Sequence, residues 1–258
     1  MNLPIEYIAL FVAGLAGGVV NSIAGGGSFI TFPALILAGL PAISANATNT
    51  FASCLGYFSG LAAFKQQLVS QSHRLIMITA ISLMGGGAGA LLLATTPAKL
   101  FQNAIPWLLL IATILFVWGP VINQKLQQRP RKKNQRKMLG VLPAIMLSVV
   151  CLYGGFFNAG LGIILLSYFS VLGIADINVM NALKLYVSGV LSVMAITVFI
   201  YQGYIDWLPG SILMLGTMLG GYIAAKMSLK ASQQVLRNIV IVIAVTTTTY
   251  FFIDAYAF

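Results

Sequence analysis

The residues able to hold a small polar ligand are few in this chain, and they cluster. The stretch from Gly17 to Ser28 contains five glycines and Asn21, yet it lies inside a run of otherwise apolar residues. Glycine is poor in helix interiors, so the run predicts a broken helix. A helix that restarts there leaves its first N–H groups unpaired and its positive dipole end exposed, an arrangement that favours an anion. Gly25, Gly26 and Gly27 would present such N–H groups without side-chain obstruction. Ser28 is placed to cap the restart, and the Asn21 amide can donate to substrate oxygens. The alternative is close helix packing by the glycines, with Asn21 as interhelical glue.

Four further positions extend the candidate set. Asn46-Ala47-Thr48-Asn49-Thr50 opens one later segment and Asn181-Ala182-Leu183-Lys184 opens another. Thr48 and Asn49 are candidate substrate ligands. Lys184 is the only basic residue well inside an apolar span, where an ionisable group normally faces a cavity or a partner. Facing a cavity it would neutralise an anion; snorkelling to the membrane surface is the competing reading. Asn158, beside Gly160 and Gly162, completes the set as a second amide donor.

Other chemistry finds little support. The single histidine, His73, sits in a basic turn, and the four acids (Glu6, Asp176, Asp206 and Asp254) all lie near segment ends. No carboxylate pair, nucleophile with a base, metal-ligand cluster or phosphate-binding loop appears, so neither an enzyme nor a built-in ATP motor is expected. Cys54 and Cys151 read as buried small apolar residues. No cofactor or metal is implied. The net charge of +10 suggests nucleic acid at first sight, but seven of the fourteen basic residues lie between Lys125 and Lys137. That grouping reads as a cytoplasmic loop, with contact to anionic lipid headgroups as an added effect. No nucleic-acid partner is expected.

The elements that must position these residues are membrane helices. The chain is 59% hydrophobic and 7% charged, with a mean hydropathy of +0.96, whereas a soluble domain carries about 25% charged residues. The runs are long and continuously apolar rather than alternating, so helices and not a barrel are expected. Eight hydrophobic blocks emerge, four on each side of the basic stretch. The start lacks a basic region of the kind that precedes a cleaved signal peptide.

The two sets of blocks match. Gly17, Gly18, Asn21 and Gly25 align at constant offset with Gly154, Gly155, Asn158 and Gly162. Asn46, Ala47, Ser53, Phe64 and Gln67 align with Asn181, Ala182, Ser188, Phe199 and Gln202, and Asn49 then faces Lys184 in the alignment. Gly86, Gly87 and Ala90 pair with Gly220, Gly221 and Ala224, and Asn103 with Asn238. The expected organisation is a first repeat over 1–122, a linker over 123–137 and a second repeat over 138–258. Basic residues at the linker, near Lys65 and Arg74, and at Lys226, Lys230 and Arg237 mark the inside; Lys99 alone dissents. On this scheme the repeats are inverted and both termini lie outside. The first block of each repeat starts and ends on one face, so each is two pieces of about 17 residues, joined at Asn21–Gly27 and at Asn158–Gly162. Five elements per half result. The fold expected is an all-α polytopic membrane protein of two inverted repeats with broken helices near the midplane, the pattern of a secondary transporter site.

The same residues carry a family resemblance. The run Gly14-Leu15-Ala16-Gly17-Gly18-Val19-Val20-Asn21-Ser22-Ile23-Ala24-Gly25-Gly26-Gly27-Ser28, Pro33-Ala34-Leu35, Ala45-Asn46-Ala47-Thr48-Asn49, Gly56 and Gly85-Gly86-Gly87-Ala88-Gly89-Ala90 resemble the TauE/SafE family of sulfite and organosulfonate exporters. The resemblance covers nearly the whole chain. It implies export of a small oxyanion, such as sulfite or a sulfonate, across a bacterial inner membrane. An anion channel and a non-transporting membrane assembly protein stay open as alternatives. The expected partners are a small anionic substrate and membrane lipids, and a coupling ion (H+ or Na+) and an oligomeric state are left open.

Overall fold

A computed structural model describes residues 3–127, 140–174, 176–227 and 233–256. Among the described residues the chain is entirely helical. Its ten longer helices are α1 (Leu3–Ile23), α2 (Ser28–Leu37), α3 (Ala42–Leu61), α5 (Ser72–Thr95), α6 (Ala98–Gln127), α7 (Val141–Phe156), α8 (Leu161–Val171), α9 (Ile177–Tyr201), α10 (Trp207–Met227) and α11 (Gln233–Tyr256). A five-residue α4 (Lys65–Val69) lies in the turn after α3. Five long helices therefore precede the basic stretch and five follow it.

Six helices, α1, α5, α6, α9, α10 and α11, are long and apolar enough to cross a membrane. Helix α3 has the length, 20 residues, or about 30 Å, but its Asn and Thr content lowers its hydropathy. The surface is apolar, with Ile8, Ile76, Met84 and Val242 each more than half exposed, while Asn, Ser, Thr and Lys184 are buried. This inside-out distribution suits a lipid surround.

Both first blocks are broken, but not where or how the composition suggests. Asn21 lies inside α1, and the break spans only Ala24–Gly27; the second spans Phe157–Gly160, not Asn158–Gly162. The pieces are unequal rather than near 17 residues each: 21 and 10 in the first block, 16 and 11 in the second. Helices α2 and α8 are thus half-spans of about 15 Å. Two left-handed glycines allow the reversals, Gly25 at φ 85° and Gly160 at φ 75°, a region costly for residues bearing a Cβ. Pro33 lies inside α2 and cannot donate to the Phe29 carbonyl one turn back. The Thr247 hydroxyl of α11 donates to that carbonyl instead, at 3.5 Å.

Packing crosses between the halves. Helix α1 lies along α10 and α7 along α5, while α2 leans on α11 and α8 on α6. The first two seams are glycine-lined. A Cβ on Gly14 or Gly18 would strike the carbonyls of Leu213 or Thr217, and one on Gly89 that of Leu152, the close approach that membrane helices need in place of a hydrophobic driving force. Residues separated by the same offsets as the aligned pairs also meet. Gly25 abuts Gly162, Thr113 and Thr248 share a hydrogen bond of 2.9 Å, and Cys54 Sγ reaches the Gly189 carbonyl at 3.9 Å.

The basic stretch falls largely on residues 128–139, outside the described residues, and α6 continues as helix to Gln127. Lys230 is also outside them.

Candidate functional site

The two breaks meet back to back. A Cβ on Gly25 would lie 2.8 Å from the Gly162 Cα, and one on Gly162 would fall 2.8 Å from the Gly25 carbonyl oxygen. Helix α1 therefore ends, and α2 and α8 begin, around one buried point.

The C-terminal ends of α1 and α7 are each held by a side chain from the other half. Lys184 on α9 reaches the C-terminal end of α1. Its Nζ donates to the carbonyls of Asn21 at 3.0 Å and Ser22 at 3.3 Å, and to Asn181 Oδ1 at 3.0 Å. Those carbonyls are among the last of α1 and lack intrahelical partners, since the Gly25 amide turns to Val20 O instead. In the matching place, Asn46 Nδ2 on α3 donates to the Phe156 carbonyl at the end of α7, at 3.0 Å. A cation closes one broken helix and a neutral amide the other.

The restart of α2 is organised by Asn21 and Asn49. The Gly27 amide donates to Asn21 Oδ1 at 2.8 Å. Asn49 Nδ2 donates to Ser28 Oγ at 3.3 Å, and Asn49 Oδ1 accepts from Thr31 Oγ1 at 2.5 Å. Gly27, not Ser28, is the cap residue of α2, and no side chain caps it. Ser28 is the first helical residue, so its hydroxyl is turned to Asn49. The amides of Gly26 and Ser28 find no partner among the described residues. Across the contact, Tyr57 Oη donates to Asn158 Oδ1 at 3.0 Å, with the Ser28 and Ser53 hydroxyls beside the same phenol. Asn158 Nδ2 and Ser53 Oγ are buried without a hydrogen-bond partner, a costly state in a structure unless something else fills it.

Of the nine residues singled out from sequence, eight converge: Asn21, Gly25, Gly26, Gly27, Ser28, Asn49, Asn158 and Lys184. Thr48 diverges. Its Oγ1 accepts the Asp206 amide at the start of α10, at 3.0 Å. All nine are buried, so solvent does not reach them. Tyr57, Ser53, Thr31 and Asn181 join the cluster without having been singled out for it. A signal existed. Asn46, Asn49, Ser53 and Tyr57 fall at helical spacing on one face of α3, and the matched Asn181, Lys184, Ser188 and Ser192 do the same on α9.

Buried aromatics wall the cluster. Phe157, in the second break, meets Phe32 of α2 edge-on at 5.6 Å between ring centres, and Phe32 stacks on Phe251 at 5.8 Å. Beyond Phe251 lies a cavity of about 340 Å³ bordered by Gln102, Asn103 and Asp254. Among the described residues no group of three or more His, Cys, Asp or Glu side chains is placed to hold a metal.

What the cluster offers a ligand is uniform: amide N–H groups, a carboxamide NH₂, hydroxyls and a nearby ammonium, with no carboxylate. That donor set suits an anion. Comparison with known proteins leads to a family. The chain is 27% identical over 247 residues to "Probable membrane transporter protein YfcA" of Escherichia coli (strain K12), an alignment covering 95% of this chain and 88% of that one. It is 29% identical over 253 residues to a "Probable membrane transporter protein" of Haemophilus influenzae, covering 95% and 94%. The Sinorhizobium protein "Probable membrane transporter protein ORF9" is 24% identical over 236 residues, covering 91% and 88%. No solved structure matches. The family described as "Sulfite exporter TauE/SafE" matches residues 10–251, and with its six membrane-length helices this chain is a multi-pass membrane protein belonging to the TauE/SafE family.

Proposed function

We propose that the protein is a secondary transporter that exports a small oxyanion, such as sulfite or an organosulfonate, across a bacterial inner membrane. The observation that carries this reading is the meeting of the two broken helices. It brings the unpartnered Asn158 Nδ2 and the unpaired amides of Gly26 and Ser28 together with the Lys184 ammonium.

The electrostatics favour an anion. The C-terminal end of α1 and the N-terminal end of α2 carry opposite half-charges that largely cancel at the break. Lys184 then adds a full positive charge. The aromatic wall keeps water out, so each donor acts at a low effective dielectric. Since solvent does not reach the site residues, transport requires movement, and alternating access is the mechanism we assign. Two features support two inverted halves moving about this site: the crosswise contacts of α1 with α10 and α7 with α5, and the meetings of residues at the aligned offsets. The Asp254-lined cavity behind Phe32 and Phe251 is the outward vestibule on this reading, and both termini lie outside.

The test is flux from reconstituted vesicles, run with and without a pH gradient. Saturable sulfite or sulfonate export, accelerated by anion on the opposite side, is the expected result. Conductance without saturation would assign a channel, and the absence of oxyanion flux from folded protein would defeat the proposal.

A further inference from the structure

The identity of the groups around Lys184 bears on substrate charge. Its three hydrogen bonds go to two backbone carbonyls and a carboxamide oxygen. Three acceptors require three hydrogens, which only the ammonium supplies. All three acceptors are neutral, so the positive charge has no counter-charge among them. Every other charged side chain described is outside the core: Asp176, Asp206, Asp254, Lys65 and Lys99 are exposed, and Glu6 and Arg74 half-buried. Among the described residues the buried formal charge is therefore +1.

We infer that Lys184 makes the site selective for singly charged oxyanions over doubly charged ones. This rests on the reading of the helix breaks as the oxyanion site. A monoanion bound beside the Asn158 carboxamide brings the buried charge to zero. A dianion of the same shape leaves one negative charge uncompensated in a water-excluding core, where an unpaired ion is expensive. The neutral donors do not remove that difference. They stabilise both ions through hydrogen bonds, but they add no charge. The repeat explains why the count stops at one, because the position matched to Lys184 is Asn49, a neutral carboxamide committed to Ser28 and Thr31.

The experiment is competition against labelled methanesulfonate in proteoliposomes at a single pH. Unlabelled methanesulfonate, perchlorate and sulfate are the competitors. All three are tetrahedral, and only sulfate is doubly charged; perchlorate controls for the methyl group. Perchlorate and methanesulfonate should compete, and sulfate should be weaker by at least about tenfold. In Asn49→Lys, a second ammonium at the matched position should narrow that gap, and Lys184→Arg should preserve it. If methanesulfonate is carried but sulfate competes as well as perchlorate, the charge rule falls while oxyanion transport stands. An unchanged gap in folded Asn49→Lys also overturns the rule. If no oxyanion is carried, the transport reading falls and takes this inference with it.

Discussion

Replacing Lys184 by methionine separates the two roles of the ammonium. The methionine chain keeps most of the volume and removes the charge and all three donors. The carbonyls of Asn21 and Ser22 and the Asn181 side-chain oxygen lose the bonds made at 3.0, 3.3 and 3.0 Å. Each orphaned acceptor costs about 1–3 kcal/mol, partly offset because no ammonium need be buried, so a net destabilisation of roughly 2–4 kcal/mol is expected. The effect on substrate is separate. Asn21 links the two features, with its carbonyl on Lys184 and its Oδ1 on the Gly27 amide. Unit charges about 7 Å apart at an effective dielectric of about 20 would attract by about 2.4 kcal/mol, or roughly 50-fold in affinity. The assay is concentration-dependent sulfite flux in proteoliposomes, normalised to folded protein measured by thermal unfolding. Lys184→Met should raise the half-saturating concentration by more than tenfold, and Lys184→Arg should recover part of the loss. A folded Lys184→Met protein with unchanged half-saturation would refute the electrostatic role, leaving only the helix-capping one.

Other expectations follow from single contacts. Gly162→Ala would drive a methyl into the Gly25 backbone and should cost about 1–3 kcal/mol as overpacking, with flux lost. Gly173→Ala, at φ 82° with nothing within 4 Å of the added methyl, should cost only about 1–2 kcal/mol of backbone strain and leave flux intact, both read by thermal melts and vesicle assays. Asn46→Ala removes the donor to Phe156 O and should lower stability by about 1–3 kcal/mol with a small effect on half-saturation. Asn158→Asp places a carboxylate among the anion's donors and should abolish sulfite binding, measured by titration of the purified protein in detergent; retained affinity would remove Asn158 from the site.

The membrane class and the existence of two breaks were legible because composition and glycine placement leave little else for a long apolar run to do. The helix boundaries were not. Asn21 reads as a breaker, but its backbone stays in α1 while its side chain turns forward across the break to the Gly27 amide, a choice that single-residue helix propensity does not encode. Ser28 reads as a cap for the same local reason, yet Asn49 takes its hydroxyl. Lys184 stood out by type and depth, but its acceptors lie more than 160 residues away at Asn21 and Ser22. Only the folded packing of α9 against α1 brings them together. Thr48 shared its polar run with Asn49, and the 100° step between neighbouring helix positions sends it to α10 instead. Tyr57 was missed because an aromatic in an apolar segment is ordinarily core; its helical spacing from Asn49 and Ser53 was the available clue.

The most direct test of where the anion sits is crystallographic. Selenite replaces sulfite with a heavier atom of the same oxyanion geometry, and its anomalous scattering locates it without assumption. A peak is expected at the meeting of the two helix breaks, within hydrogen-bond distance of Asn158 Nδ2 and the Ser28 amide. A peak confined to the cavity beside Asp254, or elsewhere than the break, would contradict that placement.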